Sequence, residues 1–358
     1  MKTVFIILSI LRVAFVGDPQ VDNLQELSYA RASIYRELRE RKDLDLVVVL
    51  GDLVNDNPSL IAPSKASLDS LRCPWICAPG NHDKDVYRQT RQPRDTRTFR
   101  EVMGYADTCF VLGGVRFASV DNVRTVGRGS YEGGLGEDQK KWLSSVLANC
   151  SEPLVLCAHI PFTECVGKDT LAEILAPHRD RMLMMCGHTH NVFRSHTAYG
   201  CEEVQAGAAC GSWWRGVKDA WGVPDALMNC GAPRGYFVAE FRPDRPEWYS
   251  LSYKCVGRSA KETMSVTRRG GKVYVNVYGG TREGRVEMHL NGRWTDMEPS
   301  LEVAPEVMDV IEFNKNHDRA YRREHKDEFI PMRRIASPHL WSASDPGTRR
   351  LRIRYSEP

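Results

Sequence analysis

The sequence predicts an α/β protein followed by a small all-β domain, and three observations carry that reading. Apolar, β-branched runs alternate with helix-patterned stretches through the first two thirds of the 358 residues. Six of those runs stop at polar or titratable clusters, the arrangement that gathers ligands at the carboxyl ends of strands in an open α/β sheet. Beyond Ser252 cysteine nearly vanishes and period-two segments take over, as in half-buried antiparallel strands. The chain divides accordingly into residues 1–255 and 256–358.

The elements follow in order. Arg12 to Gly17 is a short strand running into Asp18-Pro19-Gln20. Gln25 to Lys42 has helical spacing, with Leu27, Ala30, Ile34 and Leu38 on one face. Leu44 to Leu50 reads as a buried parallel strand stopping at Gly51-Asp52, and Cys73 to Ala78 as another ending at Gly80-Asn81-His82-Asp83. Val115 to Val120 ends at Asp121-Asn122, Leu154 to Ala158 at His159, and Met182 to Cys186 at Gly187-His188-Thr189-His190. A helix fills Gly136 to Asn149. In the last hundred residues Lys272 to Tyr278, Arg285 to Leu290 and Leu351 to Tyr355 alternate like strands, and Asn291-Gly292 invites a hairpin. A polar, charged connection is expected around Asn314 to Lys326.

Composition excludes several classes. With 42% apolar residues, 27% charged and a net charge of +3, the chain is neither disordered nor built around nucleic acid. No apolar run approaches the roughly 20 residues of a membrane span, so neither a nucleic-acid nor a transmembrane partner is expected. The 11 cysteines are irregularly spaced between Cys73 and Cys255, and several sit in apolar runs, which suits buried thiols better than a disulfide scaffold. Lys2 and the apolar stretch Val4 to Leu11 imitate an export signal, yet no small-residue cleavage site follows before Arg12. That pattern is compatible with a cytoplasmic or an exported protein.

Taken as ligands, the strand-end residues are well matched. Asp18 and Gln20 lie two apart and point the same way from an extended strand end. Asp52 adds a carboxylate, Asn81 an amide oxygen, and His159, His188 and His190 imidazoles. With Asp52 as a bridge they form two overlapping sets of mixed oxygen and nitrogen donors, suited to Mn, Fe, Zn or Ni rather than to Ca.

Asp18-Pro-Gln20, Gly51-Asp52, Gly80-Asn81-His82-Asp83, His159 and Gly187-His188-Thr-His190 resemble, in order and spacing, the calcineurin-like metallophosphoesterase superfamily. The resemblance covers about residues 11–250 and is nearest to bacterial members with a C-terminal β domain. It implies a two-sheet αββα sandwich and two divalent metal ions. Asp18, Gln20 and His190 would hold the first, Asn81, His159 and His188 the second, and Asp52 would bridge. His82 would stay free of metal, facing the scissile phosphate as general acid or charge stabiliser, while a metal-bridging hydroxide attacks phosphorus in line. Asp83 is expected to orient His82, since imidazoles at metal sites lean on a carboxylate or carbonyl.

The chain departs from the family pattern at two positions. Gln20 stands where a histidine is usual, which loosens the first metal site and bears on metal identity. Asn55, followed by Asp56, stands where the family has a further carboxylate; purple acid phosphatases, which show a similar pattern, place a tyrosine ligand near there. The implied function is hydrolysis of a phosphate mono- or diester in a phosphorylated small molecule, lipid or nucleotide. A catalytically silent scaffold or ligand-binding protein on the same fold is the alternative, set against by intact Asp52 and His82. Asn122 (a turn residue or a contact to a substrate hydroxyl), Trp213 (a cleft wall or core) and Arg215, with Arg124 and Arg128, are the candidate substrate contacts.

Overall fold

Strands buried on both faces need apolar side chains at every position, and the continuous apolar runs supply the centres of two sheets. The computed structural model describes residues 10–85, 95–126, 130–317 and 319–358. Its strands begin with β1 (Leu11–Val16), β2 (Leu46–Val49), β3 (Trp75–Cys77), β4 (Thr108–Leu112) and β5 (Val115–Ser119). A short ribbon of β6 (Val123–Val126) and β7 (Ser130–Gly133) precedes β8 (Leu154–Cys157) and β9 (Met182–Cys186). Then come β10 (Val192–His196), β11 (Glu202–Ala206), β12 (Gly235–Phe241) and β13 (Tyr249–Cys255).

One sheet has the order β13-β12-β1-β2-β3 and the other β10-β11-β9-β8-β5-β4. In the first sheet β1, β2 and β3 are parallel while β12 pairs antiparallel with both β1 and β13; in the second β11, β9, β8 and β5 are parallel and the edges β10 and β4 antiparallel. The sheets pack face to face, as the edge-on contact of Phe117 with Phe241 (5.8 Å between centroids) shows. Period-two alternation sorts β8 between the layers: Val155 and Cys157 join the inter-sheet core, while Leu154 and Leu156 pack beneath Leu143 and Leu147 of the helix Glu137–Leu147. Helices Leu24–Ala32, Ile34–Glu40 and Ile61–Leu68 cover the outer face of the first sheet. This is the αββα arrangement expected.

The single helix read over Gln25 to Lys42 is two. The Ser33 hydroxyl bonds back to Tyr29 O at 2.6 Å, and Ser33 leaves helical geometry with ψ −95°. Serine competes in this way for its own helix's carbonyls, which apolar periodicity does not register.

The C-terminal strands form two further sheets. The first comprises β14 (Met264–Arg269), β15 (Lys272–Val277), β18 (Glu298–Pro299) and β19 (Leu340–Ser344); the second β16 (Arg285–Leu290), β17 (Arg293–Asp296) and β20 (Ile353–Ser356). Val273, Val275 and Val277 from one meet Val286 and Met288 from the other around Trp341. Asn291 and Gly292, both with positive φ, make the expected hairpin turn. The connection expected around Asn314 to Lys326 is instead largely helical, over Pro305–Asn316 and Arg319–Glu324. Pro305 starts the first helix, where its missing N–H costs nothing, and Pro305 and Val307 are buried. Sheet membership changes after Cys255, but the two parts interlock: Gly216 N–H donates to Asp327 O, and Arg194 pairs with Glu357.

Among the described residues no helix is long and apolar enough to cross a membrane. All 11 cysteines are free thiols, eight of them buried.

A buried histidine is expected to make the C-terminal sheets acid-sensitive. His339 is fully buried, its Nδ1 lies 2.5 Å from Asn276 Oδ1, and its Nε2 has no partner among the described residues. A proton on Nε2 would be stranded, and burial holds the imidazole down at about 4. The unfolded chain therefore binds more protons than the folded one between pH 6.5 and 4, so this contribution is present above pH 6.5 and fades on acidification, by at most ~3 kcal/mol. Melting temperatures across that window should fall more steeply for the wild type than for His339→Gln; parallel slopes would exclude His339 as the cause.

Candidate metal centre

Short loops leave the sheets at the carboxyl ends of β1, β2, β3, β8 and β9, and each bends sharply. Among the described residues seven non-glycines have positive φ, and five are Asp18 (47°), Gln20 (41°), Asp52 (48°), His188 (73°) and His190 (51°). A sixth is Asp56 (56°). Such conformations cost on the order of 1–3 kcal/mol each and persist where surrounding structure over-determines them. Their concentration in one place marks side chains aimed at a common point.

The glycines that precede the ligands leave room for this convergence. A Cβ on Gly80 would stand 2.1 Å from Asp52 Oδ1, and one on Gly51, whose φ is +89°, would stand 2.6 Å from the His159 ring. No other residue type allows the loops to approach so closely.

The seven expected ligands meet. Asp52 Oδ2 lies 3.2 Å from His159 Nε2 and 3.4 Å from Gln20 Nε2. Asn81 Oδ1 lies 3.0 Å from His159 Nε2, and His188 Nδ1 3.2 Å from the same atom. Asp18 accepts from His188 N at 3.1 Å and faces His190 Nε2 at 3.6 Å. Two rings are oriented from behind by carbonyls, His159 Nδ1 on Leu50 O (2.8 Å) and His190 Nδ1 on Gly211 O (2.9 Å), which turns both Nε2 atoms inward. The Gln20 amide presents its nitrogen to Asp52 and to Asn55 Oδ1; as a ligand it would turn by 180° to offer oxygen.

The electrostatics of this cage call for positive charge. Asp18, Asp52, Asn81 and His159 are buried, and Asp52, His159 and His188 each bring a ligand atom within 4.8 Å of the others. With Nδ1–H donating to Leu50 O, His159 Nε2 is surrounded by Asp52 Oδ2, Asn81 Oδ1 and His188 Nδ1, so a proton or a cation must sit among them. Burial works against a charged His159, yet Asp52 pushes it up to about 9. Burial holds His188 down at about 3 and His190 at about 4, the neutral state in which imidazole binds metal. The donor set therefore fits divalent cations with mixed oxygen and nitrogen preference.

Around the cage lies a cleft of about 420 Å³, lined by Gln20, Asp52, His82, Tyr131, His188, His190 and Trp213 among others. His82 donates its backbone N–H to Asp52 Oδ1 at 2.8 Å, and its Nδ1 lies 3.0 Å from Asp56 Oδ1. Asp83, expected to orient His82, does something else. Its carboxylate is fully buried and accepts from Gly80 N (2.8 Å) and Val54 N (3.0 Å), bracing two ligand loops against each other. The partner of His82 is Asp56, the Asp83 carboxylate being taken up by Gly80 N and Val54 N.

The substrate candidates divide. Trp213 lines the cleft, its ring 5.4 Å from that of His190. Asn122 does not: it is fully buried, giving Nδ2–H to Ile160 O (2.6 Å) and accepting from Ile160 N (3.0 Å). Arg215 is not among the cleft residues and acts on Glu26 instead, while Arg124 pairs with Glu132 at 3.1 Å. Arg128 lies outside the described residues. Sequence reasoning missed Tyr131, Ser212, Asn229, Pro331 and Arg333 on the cleft wall. None carries a motif signal: Tyr131 stands on the short strand β7, and the others arrive from loops or from the C-terminal region.

This fold, with its clustered carboxylate and imidazole donors at the strand ends, is that of metal-dependent hydrolases of phosphoric ester bonds. Residues 11–192 match the family model for calcineurin-like phosphoesterases, and residues 203–355 that for the C terminal of calcineurin-like phosphoesterase. The chain belongs to the calcineurin-like phosphoesterase family. It is 28% identical over 231 residues to a probable cyclic nucleotide phosphodiesterase of Synechococcus sp., covering 60% of this chain and 78% of the relative. Identity is 23% over 201 residues with a probable glycerophosphodiester phosphodiesterase GpdQ of Arcobacter nitrofigilis, covering 50% and 72%. A dimetal phosphatase from Danio rerio has a similar structure at 13% identity and a TM-score of 0.42, covering 74% of this chain and 95% of its own.

Proposed function

We propose that the protein is a dinuclear-metal phosphoesterase acting on a phosphodiester. The observation that carries this reading is the convergence of Asp18, Gln20, Asp52, Asn81, His159, His188 and His190, spread over some 170 positions, on one buried cage open to a cleft. Asp18, Gln20 and His190 would hold one cation and Asn81, His159 and His188 the other, with Asp52 shared. Bound there, a pair of divalent cations supplies an acidified water as nucleophile and neutralises the phosphate oxygens. His82 stands on the cleft wall, where its ring can hydrogen-bond a phosphate oxygen or protonate the departing alkoxide. Asp56 holds the ring in place and favours its protonated form. Trp213 offers an aromatic face beside the cage for an organic substituent. The diester preference is supported by the names of the two sequence relatives.

Purified protein should retain about two divalent ions per chain by elemental analysis, and chelation should abolish hydrolysis of bis(p-nitrophenyl) phosphate until Mn is restored. Full activity in metal-free protein would reject the reading.

A further inference from the structure

We infer that Arg333, carried over the cleft by the C-terminal region, is a specificity-determining residue that binds an anionic group on the diester's second substituent. The inference rests on the phosphoesterase reading above and names what that reading leaves undefined.

Twelve residues line the cleft, and Arg333 is its only lysine or arginine among the described residues. The guanidinium is exposed, and no carboxylate lies within ion-pair distance of it among the described residues. Its backbone, by contrast, is held firmly. Arg333 N–H donates to Asn229 Oδ1 at 2.7 Å, and Asn229 itself lines the cleft. Ile330, two residues past the last of a short helical turn, is buried and its carbonyl accepts from Asn314 Nδ2 at 2.8 Å. Met332 Sδ lies 3.6 Å from Ser212 Oγ, and Asp327 O accepts from Gly216 N at 2.8 Å. The contacts with Ser212 and Gly216 latch residues 327–333 onto the loop that carries Trp213, and those with Asn229 and Asn314 fix the rest of the segment.

A fixed backbone beneath a free guanidinium is the construction expected for a binding residue. An arginine there for solubility needs no anchoring, and one there for structure would have its fork occupied. Guanidinium recognises carboxylates and phosphates by paired hydrogen bonds. The scissile phosphate would belong to the cage, so the charge that Arg333 reads lies on the other substituent of the diester, held in the same cleft as Trp213. The aromatic face and the cation together select a ring-bearing substituent with a negative charge.

Two nearly isosteric diesters isolate that charge: bis(p-nitrophenyl) phosphate and p-nitrophenyl 4-carboxyphenyl phosphate, assayed with Mn. The wild type is expected to prefer the carboxylated ester about tenfold or more in kcat/KM. Arg333→Ala should erase the preference chiefly through KM, Arg333→Lys should keep part of it, and Arg333→Glu should reverse it. Arg334→Ala, on the exposed neighbour that does not line the cleft, should retain it. No wild-type preference, an equal loss on both esters, or a loss confined to the monoester p-nitrophenyl phosphate would each overturn the proposal. A wild type that turns over none of the three refutes the phosphoesterase reading instead; calorimetric Kd values of the two diesters then give the same charge ratio for wild type and Arg333→Ala.

Discussion

Asp52→Asn is expected to lower turnover of a phosphodiester by about 10³-fold or more and to leave the dialysed protein with less than its full metal content. The residue is 1% exposed, and both its oxygens are engaged: Oδ1 accepts from His82 N, while Oδ2 faces His159 Nε2 and Gln20 Nε2. An amide keeps the shape but loses the charge, and one of its ends becomes a donor. Set toward His82 N–H, the NH2 group opposes another donor; set inward, it points at the atoms that would bind cations. The charge also governs its neighbour, since Asp52 raises His159 to about 9, and without it burial would carry the ring down. Elemental analysis and steady-state kinetics on the same preparation check the outcome, with circular dichroism confirming the fold. An Asn variant that retained two metals and turned over within tenfold of the wild type would remove Asp52 from its proposed bridging role.

His82→Ala should reduce kcat by about 10²–10³-fold while metal content stays unchanged, because the ring lines the cleft with its Nδ1 on Asp56, which is not one of the seven donors. Asp56→Asn should cost about tenfold, the scale on which groups that orient a functional imidazole act. The two effects should not add, since Asp56 works through His82. Burial pulls His82 down, but the bond and charge of Asp56 hold it above the ordinary histidine value. If His82 delivers a proton, activity is present below its pKa and lost as pH rises through it, so removing Asp56 should move the alkaline limb of kcat to lower pH. An unmoved limb with a tenfold loss would make Asp56 a structural brace only. Asp83→Asn, by contrast, should act through stability, because its carboxylate ties Gly80 N to Val54 N and never reaches His82.

The cluster of donors at the strand ends was legible because its signals are local. Each of these donors stands in the loop just past an apolar strand, where an open α/β sheet gathers ligands, so Asp18, Asp52, Asn81, His159, His188 and His190 could be named from five short segments. The rest of the cleft was legible only in part, at His82 and Trp213. Asn122 sits at a strand end like the clustered donors, yet its amide is consumed by the Ile160 backbone, a pairing across 38 positions that no local pattern reveals. Arg215 lies two residues from Trp213, but only one of the two reaches the cleft. Arg333 stands far along the chain from every motif.

The sequence alone determined the layered α/β architecture, the C-terminal strands and the identity of the donors, because alternation, strand ends and turn chemistry depend on neighbours a few residues apart. Only the tertiary structure decided which carboxylate holds His82, which polar side chains are used up within the protein, and which remote loop closes the cleft. Those outcomes depend on hydrogen bonds and packing between segments tens to about a hundred residues apart, where competition for partners in space, not order along the chain, selects the contact.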